Sequence, residues 1–409
     1  MSQIAFQLRK LVGKMWFLPA AFSAVAVLTV LVAYYVAGYA PEKLFFTMPS
    51  DAVQSILEIL ASSLLTVSVF ALSTIVSALS SASSSTTPRA VPLIVGDRSA
   101  QTSISVFIGA FLFSIVGILG LSAGIYSEAG RLFLFMVTLA VVVLVVTALI
   151  RWIGQISAIG RVGQTIDRVE LATKQAFETL SQHALFDCNL LEGDPRGEKV
   201  LADKLGYVQH LDAARLQTIA EEHDLRIAVT ARPGTYVSAV RPLLFAEGEV
   251  DEDCRAQLAS AFVVGDGRTF DHDPRFGLVV LGEIADKALS PGVNDPGTAI
   301  DVMGTAARLL VDWRHEGEKE VSNDRVWMPP LEPQDLLNDV FRPIARDGAG
   351  TIEVVQRLLA ILEIIAGSNP HLRDAALVTA RDAAGRARMA LTAPDDRAAL
   401  EASARFVFA

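Results

Sequence analysis

The chain has 409 residues, of which 52% are hydrophobic and only 20% charged, and its mean hydropathy is +0.41. This composition is too apolar for a simple soluble enzyme. The whole chain carries a net charge of −10. Residues 1–151 carry +3, so the remaining residues carry −13. An acidic remainder argues against nucleic-acid binding, because phosphates require clustered Lys and Arg. Two cysteines, Cys188 and Cys254, exclude a disulfide scaffold and a four-cysteine zinc site.

Four stretches are long and apolar enough to cross about 30 Å of hydrocarbon. They predict a transmembrane domain over residues 1–150, with helices at 15–39, 52–79, 103–126 and 132–150. The first run is too long for the apolar part of a signal peptide, which favours a retained anchor. More basic residues flank one side of the spans than the other, so the positive-inside rule predicts a multi-pass protein with both termini in the cytoplasm.

Hydroxyl groups recur along the second predicted span. At 100° per residue, seven of them fall within a sector of about 60°: Ser55, Ser62, Thr66, Ser73, Ser77, Ser80 and Ser84. One interpretation is that they let helices pack closely and hydrogen-bond across an interface. The other is that they line a water-filled path in an oligomer, because hydroxyls tolerate both water and ions. Glu58 lies beside the same sector and is a further candidate, as an ionisable group within a span.

The segment after the second span continues as a serine-rich run and reaches Thr87-Pro88-Arg89. Because proline disfavours helix at the preceding residue, we expect the helix to project past the bilayer and to end before Pro88. Arg89 and Arg98 would then lie at the inner mouth of any pore, where they could attract anions or bind lipid headgroups. An equal alternative is that these arginines only fix the topology.

Three further parts are predicted beyond residue 150. Residues 151–188 keep a helical spacing of apolar residues, which predicts an amphipathic stalk that continues the fourth span. Short alternating runs and Gly/Pro turns predict a small β-rich module over 189–250, with a helix capped near Asp212. A helical domain is predicted over 251–409, with helices at 333–347, 351–366 and 370–405 and a loop at 317–328. The predicted fold class is an α+β membrane protein, in which four transmembrane helices precede a mixed, mainly helical cytoplasmic region with a small β-rich module.

The most distinctive stretches are SPGVNDPGTA at 290–299 and RTFDHDPRFGL at 268–278, together with YVQHLD at 207–212, RPGTYV at 232–237 and Thr87-Pro88-Arg89. On these residues the chain resembles, over almost its whole length, an uncharacterised family of bacterial predicted integral membrane proteins that is named only as a domain of unknown function. The resemblance implies the bacterial inner membrane as the location, and it implies no particular activity or cofactor.

The NDP sequence within this motif predicts the start of a helix. Asn294 or Asp295 can cap the apolar helix 298–311, with Pro296 in its first turn. An anion or substrate held at this helix N-terminus is the alternative. The family often has a larger residue where this chain has Gly297, which leaves open whether the helix packs identically. The candidate residues of this region are Arg268, Asp271, Ser290, Asn294 and Asp295.

Metal and enzyme chemistry is not expected. Asp271, His272 and Asp273 are adjacent, and adjacent residues cannot usually all face one ion. Ser290 precedes a proline and lacks the Gly-x-Ser-x-Gly turn of a hydrolase, and the sequence has no Walker-type phosphate loop. We therefore expect no catalytic residue, no metal and no cofactor.

Two classes of function remain. The first is an oligomeric channel or passive transporter for an ion or small molecule, with the second span along the path and the cytoplasmic region as vestibule or gate. Four spans are too few for most self-contained carriers, so a homo-oligomeric ring in the lipid bilayer is expected. The second is a membrane-anchored sensor or scaffold whose cytoplasmic region binds a ligand or protein. The hydroxyl sector favours the first class, and neither involves nucleic acid.

Overall fold

The computed structural model of the chain describes residues 16–37, 50–95, 98–156, 161–314 and 321–408. These residues form two compact units. The N-terminal unit contains the described residues of 16–84 and 91–161, and the C-terminal unit contains 85–90 and the described residues from 162 onward.

Long apolar helices make up the N-terminal unit. They are α1 (Phe17–Ala37), α2 (Ser50–Ser85), the short α3 (Val91–Val95), α4 (Arg98–Ser122) and α5 (Glu128–Ile156). Within the described residues, three segments are long and apolar enough to cross a membrane, namely Ser50–Ala78, Gln101–Ser122 and Glu128–Gly154. The chain is thus a membrane protein with three candidate spans.

The first predicted span, 15–39, is not confirmed as a fourth crossing. Its residues Phe17–Ala37 are helical, and the apolar segment found within the described residues is Phe17–Val32. Residues 15 and 38–39 of the prediction lie outside the described part of the chain. Helix α1 packs closely along α4, since a Cβ atom at Gly109 would lie 3.2 Å from the Cβ of Phe22.

The other predicted spans are helical, with different ends. Helix α4 ends at Ser122, before the predicted end at 126, because the chain turns at Gly124 with a left-handed φ of +67°. Helix α5 begins at Glu128 and continues to Ile156. The glycines of α4 allow close packing, since a Cβ atom at Gly117 would lie 3.1 Å from Leu57 Cδ1 on α2.

Two sheets form the β-structure of the C-terminal unit. Their strands are β1 (Cys188–Leu190), β2 (Glu198–Val200), β3 (Gly206–Leu211), β4 (Arg226–Val229), β5 (Tyr236–Val237), β6 (Leu244–Glu247), β7 (Phe262–Gly265) and β8 (Asn323–Met328). The larger sheet has the order β1-β8-β4-β6-β2, with β8 parallel to both of its neighbours. The smaller sheet has the antiparallel order β5-β3-β7.

The β-structure is not confined to residues 189–250, because β7 and β8 come later in the chain. Strand β8 also corrects the predicted loop at 317–328. Val326 and Met328 alternate into the core of the larger sheet and are fully buried. Asp324 and Arg325 before them and Trp327 between them obscure this alternation, so the sequence pattern does not reveal the strand between β1 and β4.

The remaining helices of the C-terminal unit are α6 (Val162–Gln182), α7 (Ala213–Glu222), α8 (Glu252–Ser260), α9 (Pro274–Leu289), α10 (Pro296–Asp312), α11 (Pro333–Asp347), α12 (Ile352–Ser368), α13 (Arg373–Ala390), α14 (Pro394–Ser403) and α15 (Arg405–Phe408). Asp212 caps α7 by accepting the N–H of Arg215 at 3.2 Å, which confirms the predicted cap. Helix α9 lies at the centre of the helical layer, where it packs against α6, α10 and α11.

The predicted stalk is not a single helix. Helix α5 ends at Ile156, Arg161 is not helical, and α6 begins at Val162; residues 157–160 lie outside the described residues. The apolar spacing of α6 faces its own unit, because Ile166, Val169 and Phe177 are buried there. The apolar spacing of residues 162–182 thus belongs to a helix that packs into the C-terminal unit.

Candidate functional site

The serines and threonine predicted on one side of the second span lie on one exposed side of α2. Ser84 is part of the helix, but its side chain lies outside the described residues. The others define what we call the hydroxyl face, and all of them are exposed: Ser55, Ser62, Thr66, Ser73, Ser77 and Ser80. The buried side of α2 holds Val53, Leu57, Ala61, Leu64, Ala71 and Ile75. At 100° per residue the two sets point about 180° apart, so among the described residues the hydroxyl face does not pack within its own chain.

The hydroxyl face is polar without carrying a fixed charge. Thr66 Oγ1 donates to the carbonyl of Ser62 at 3.2 Å, and Ser62 Oγ donates to that of Ile59 at 3.1 Å. Such bonds to the preceding turn satisfy the hydroxyls partly and leave their lone pairs open. Glu58 is exposed beside this face, and its carboxylate accepts a bond from Gln54 Nε2 at 2.9 Å.

The segment that follows α2 is bound to the C-terminal unit. Thr87 Oγ1 donates a hydrogen bond to Glu283 Oε2 on α9 at 2.8 Å, and the Arg89 guanidinium forms an ion pair with the same carboxylate. Thr86 and Thr87 are both buried. We call the group of Thr87, Arg89 and Glu283 the clasp. Arg89, predicted to attract anions or lipids, is thus paired with a carboxylate.

Arg98, the other predicted arginine of this connection, is the first residue of α4. Its side chain lies outside the described residues, so its predicted role stays a prediction.

A cleft of about 640 Å³ adjoins the clasp and has charged walls from α9 and α11. We call it the carboxylate cleft, and it is lined by Thr86, Thr87, Pro88, Glu283, Asp286, Lys287, Leu289, Ser290, Pro291, Arg346 and Asp347. Two motifs that are far apart in the sequence, Thr87-Pro88-Arg89 and SPGVNDPGTA, therefore meet at one place in the C-terminal unit.

One arginine bridges two carboxylates in this cleft. Arg346 donates to Asp286 Oδ1 at 2.8 Å, and to the two oxygens of Asp347 at 2.6 and 2.8 Å. Burial, followed by the hydrogen bond and negative charge of Asp347, raises the pKa of Asp286 to about 6. The hydrogen bond from Arg346 lowers the pKa of Asp347 to about 2. The pair therefore holds one proton much more readily than two.

The SPGVNDPG turn joins α9 to α10 and is fixed by its own hydrogen bonds. Asp295 is the N-cap of α10: it accepts the N–H of Thr298 at 3.1 Å and the hydroxyl of Thr298 at 2.6 Å. These bonds lower the pKa of Asp295. Asn294 adopts a left-handed φ of +52°, which asparagine tolerates better than most residues. A Cβ atom at Gly297 would approach only Asp295 Oδ1, at 3.3 Å, so the side chain of an alanine there would meet only this carboxylate.

Arg268 and Asp271 lie at the opposite end of α9 from Ser290, Asn294 and Asp295. The 16 residues of α9 extend over about 24 Å, so the five predicted residues do not form one site. Within the described residues, no group of three or more His, Cys, Asp or Glu side chains could hold a metal ion.

The sequence reasoning missed the charged residues of the carboxylate cleft. Glu283 and Asp286 are three residues apart on one side of α9. This spacing alone indicates two neighbouring carboxylates on a mainly apolar helix. Arg346 and Asp347 come at the end of α11, and nothing local in the sequence connects them with Asp286.

Comparisons with known proteins agree with this architecture. The family model described as "Predicted membrane protein (DUF2254)" matches residues 13–364. An uncharacterised protein of Mycobacterium bovis is 26% identical over 386 residues, which cover 87% of this chain and 72% of the relative. Uncharacterised proteins from two strains of Mycobacterium tuberculosis match with the same identity and coverage. No solved structure matches the chain. The resemblance of the motifs is thereby confirmed, and the chain belongs to this family of predicted membrane proteins.

Proposed function

We propose that the protein is a homo-oligomeric channel or passive transporter in which the hydroxyl face of α2 lines the path of an ion or small molecule. The observation that carries this proposal is that the hydroxyl face is exposed and opposite to the buried side of the same spanning helix. Hydrocarbon cannot hydrogen-bond with these side chains. Association of several copies around an axis would give the hydroxyls water and one another as partners.

The exposed side of α5 has no comparable row of hydroxyls, and this difference supports the same arrangement. Its exposed side chains are large and apolar, and they include Met136, Leu139, Val143, Leu144, Val146 and Ile150. Such a surface suits lipid, whereas the hydroxyl face does not. In a ring of copies, α5 would therefore face outward while α2 faces the axis.

The clasp supports a gating role for the C-terminal unit. Helix α2 ends at Ser85, and Thr87 and Arg89 are both held by Glu283 of α9. Because only one residue separates the end of α2 from the clasp, a change at Glu283 would act on the end of the helix that we propose to line the path.

Currents across planar bilayers test the proposal. We expect the purified oligomer to give discrete currents, and the Ser73→Leu, Ser77→Leu variant to lose them, because leucine narrows the path and removes its polar lining. The matched control is Leu72→Phe, which adds bulk to the same turn at an exposed position off the hydroxyl face. This control should conduct like the wild type.

The size of each oligomer must be compared before the currents are interpreted. A serine variant that conducts normally in an oligomer of unchanged size would overturn the path along α2. A serine variant that no longer assembles would favour the packing interpretation of the hydroxyls. A well-folded wild-type oligomer that gives no current would favour a membrane-anchored sensor or scaffold.

A further inference from the structure

We propose that Asp286, Arg346 and Asp347 form a regulatory proton-binding site, and that uptake of a proton there loosens the clasp. The ligand of this site is the hydrogen ion. The consequence for the path rests on the proposed function, whereas the effect on the clasp does not depend on it.

The geometry brings two carboxylates together on a single guanidinium. Arg346 Nη2 donates to both Asp286 Oδ1 and Asp347 Oδ2 at 2.8 Å, so the two carboxyl groups lie side by side on one nitrogen. Two carboxylates this close repel each other, and a proton on one of them relieves the repulsion. One arginine cannot neutralise both groups, so the pair takes up a first proton more readily than an isolated carboxylate does.

The charges of the carboxylate cleft and the clasp make the proton state matter for Arg89. The negative groups are Glu283 and Asp286 from α9 and Asp347 from α11. The positive groups are Lys287 from α9, Arg346 from α11 and Arg89 from the segment after α2. With all carboxylates ionised these charges balance, and one added proton leaves an excess positive charge. That excess repels Arg89 and weakens its hold on Glu283.

The titration falls in an accessible pH range. Burial raises the pKa of Asp286 to about 6, while Arg346 holds the pKa of Asp347 near 2. Lowering the pH from about 7.5 to about 5 therefore protonates Asp286 and leaves Asp347 ionised. Acidification should loosen the clasp, and a return to neutral pH should restore it.

Hydrogen–deuterium exchange of the full-length protein tests this inference without any measurement of transport. Two amides report on the clasp: the N–H of Arg89 donates to Thr87 Oγ1 at 3.3 Å, and the N–H of Ala90 donates to the carbonyl of Thr87 at 3.1 Å. Wild type and Asp286→Asn, which imitates the protonated state, are compared at each pH so that the intrinsic pH dependence of exchange cancels.

At pH 7.5 we expect residues 86–91 to exchange about fivefold faster in Asp286→Asn than in the wild type, as one screened charge would give. At pH 5 the two proteins should coincide. Glu283→Gln should exchange fast at both pH values, because it removes the ion pair of the clasp. Asp335→Asn is the matched control, since it removes an α11 carboxylate that pairs with Arg275 near the far end of α9, and it should behave like the wild type.

Equal exchange of wild type and Asp286→Asn at pH 7.5 would overturn the inference, as would a wild-type clasp whose protection does not change with pH. If Asp286→Asn fails to fold, the wild type alone decides, with the amides of α12 as internal reference at each pH. A proton-sensitive clasp in a protein that gives no bilayer current would support the inference and contradict the proposed function. A conducting protein with a proton-insensitive clasp would support the proposed function and contradict the inference.

Discussion

Asp273 connects two of the sequence motifs, RTFDHDPRFGL and RPGTYV. Its buried carboxylate accepts two hydrogen bonds from Arg268, at 2.7 and 2.8 Å, and caps α9 through the N–H of Phe276 at 3.1 Å. The turn of RPGTYV approaches the same carboxylate, because a Cβ atom at Gly234 would lie 2.2 Å from Asp273 Oδ2. Gly234 also has a φ of +90°, so both the conformation and the space require glycine. The two motifs together fix the N-terminus of α9.

Replacement of Asp273 by asparagine should destabilise the C-terminal unit. Burial raises the pKa of Asp273 and Arg268 opposes that shift, so the carboxylate depends on its partner. Asp273→Asn would leave the guanidinium of Arg268 poorly paired, and removal of one partner of a buried ion pair costs about 3–5 kcal/mol. The melting temperature of the purified protein should fall by about 6 °C or more.

Asp266→Asn is the control for this variant, because Asp266 is an exposed residue in the same segment. Its effect should stay within about 0.5 kcal/mol. If Asp273→Asn and the control had the same melting temperature, the buried ion pair would not stabilise the N-terminus of α9.

At the level of helices and strands, periodicity decided what the sequence could predict. The hydroxyl face follows from the spacing of α2, and the caps at Asp212 and Asp295 follow from residue type and position. The carboxylate cleft could not be predicted, because Thr87 meets Glu283 and Asp286 meets Arg346 only through tertiary packing. Three of the four predicted crossings are candidate spans among the described residues, and the first, at α1, stays a prediction.

The contact between α6 and α9 depends on a glycine. A Cβ atom at Gly277 would lie 1.8 Å from Thr173 Oγ1 and 2.7 Å from Thr173 Cβ, and both residues are buried. Gly277→Ala should therefore force the two helices apart at a cost of about 1–3 kcal/mol, although alanine favours helix. Thermal unfolding of the purified variant measures this loss.

Gly385→Ala provides the opposite case, since nothing lies within 4 Å of a Cβ atom at this position in α13. It should raise stability by about 0.5–1 kcal/mol through helix propensity alone. If Gly277→Ala were stabilising to the same extent, close packing of α6 on α9 would be refuted.

On the scale of the whole molecule, the chain joins apolar spanning helices to a C-terminal unit whose carboxylate cleft holds the segment after α2. The exposed hydroxyl face is the physical reason for the proposed assembly, because hydrocarbon offers its hydroxyls no hydrogen-bond partner.

Modification of single cysteines during current recording tests most directly whether the hydroxyl face lines the path. The native Cys188 and Cys254 are both buried, so the background reaction with a water-soluble, membrane-impermeant thiol reagent should be low. We predict that the reagent blocks the current of Ser73→Cys and leaves that of Leu72→Cys, its exposed neighbour off the hydroxyl face, unchanged. A conducting Ser73→Cys oligomer that the reagent does not affect, or equal block of both variants, would contradict a path along α2.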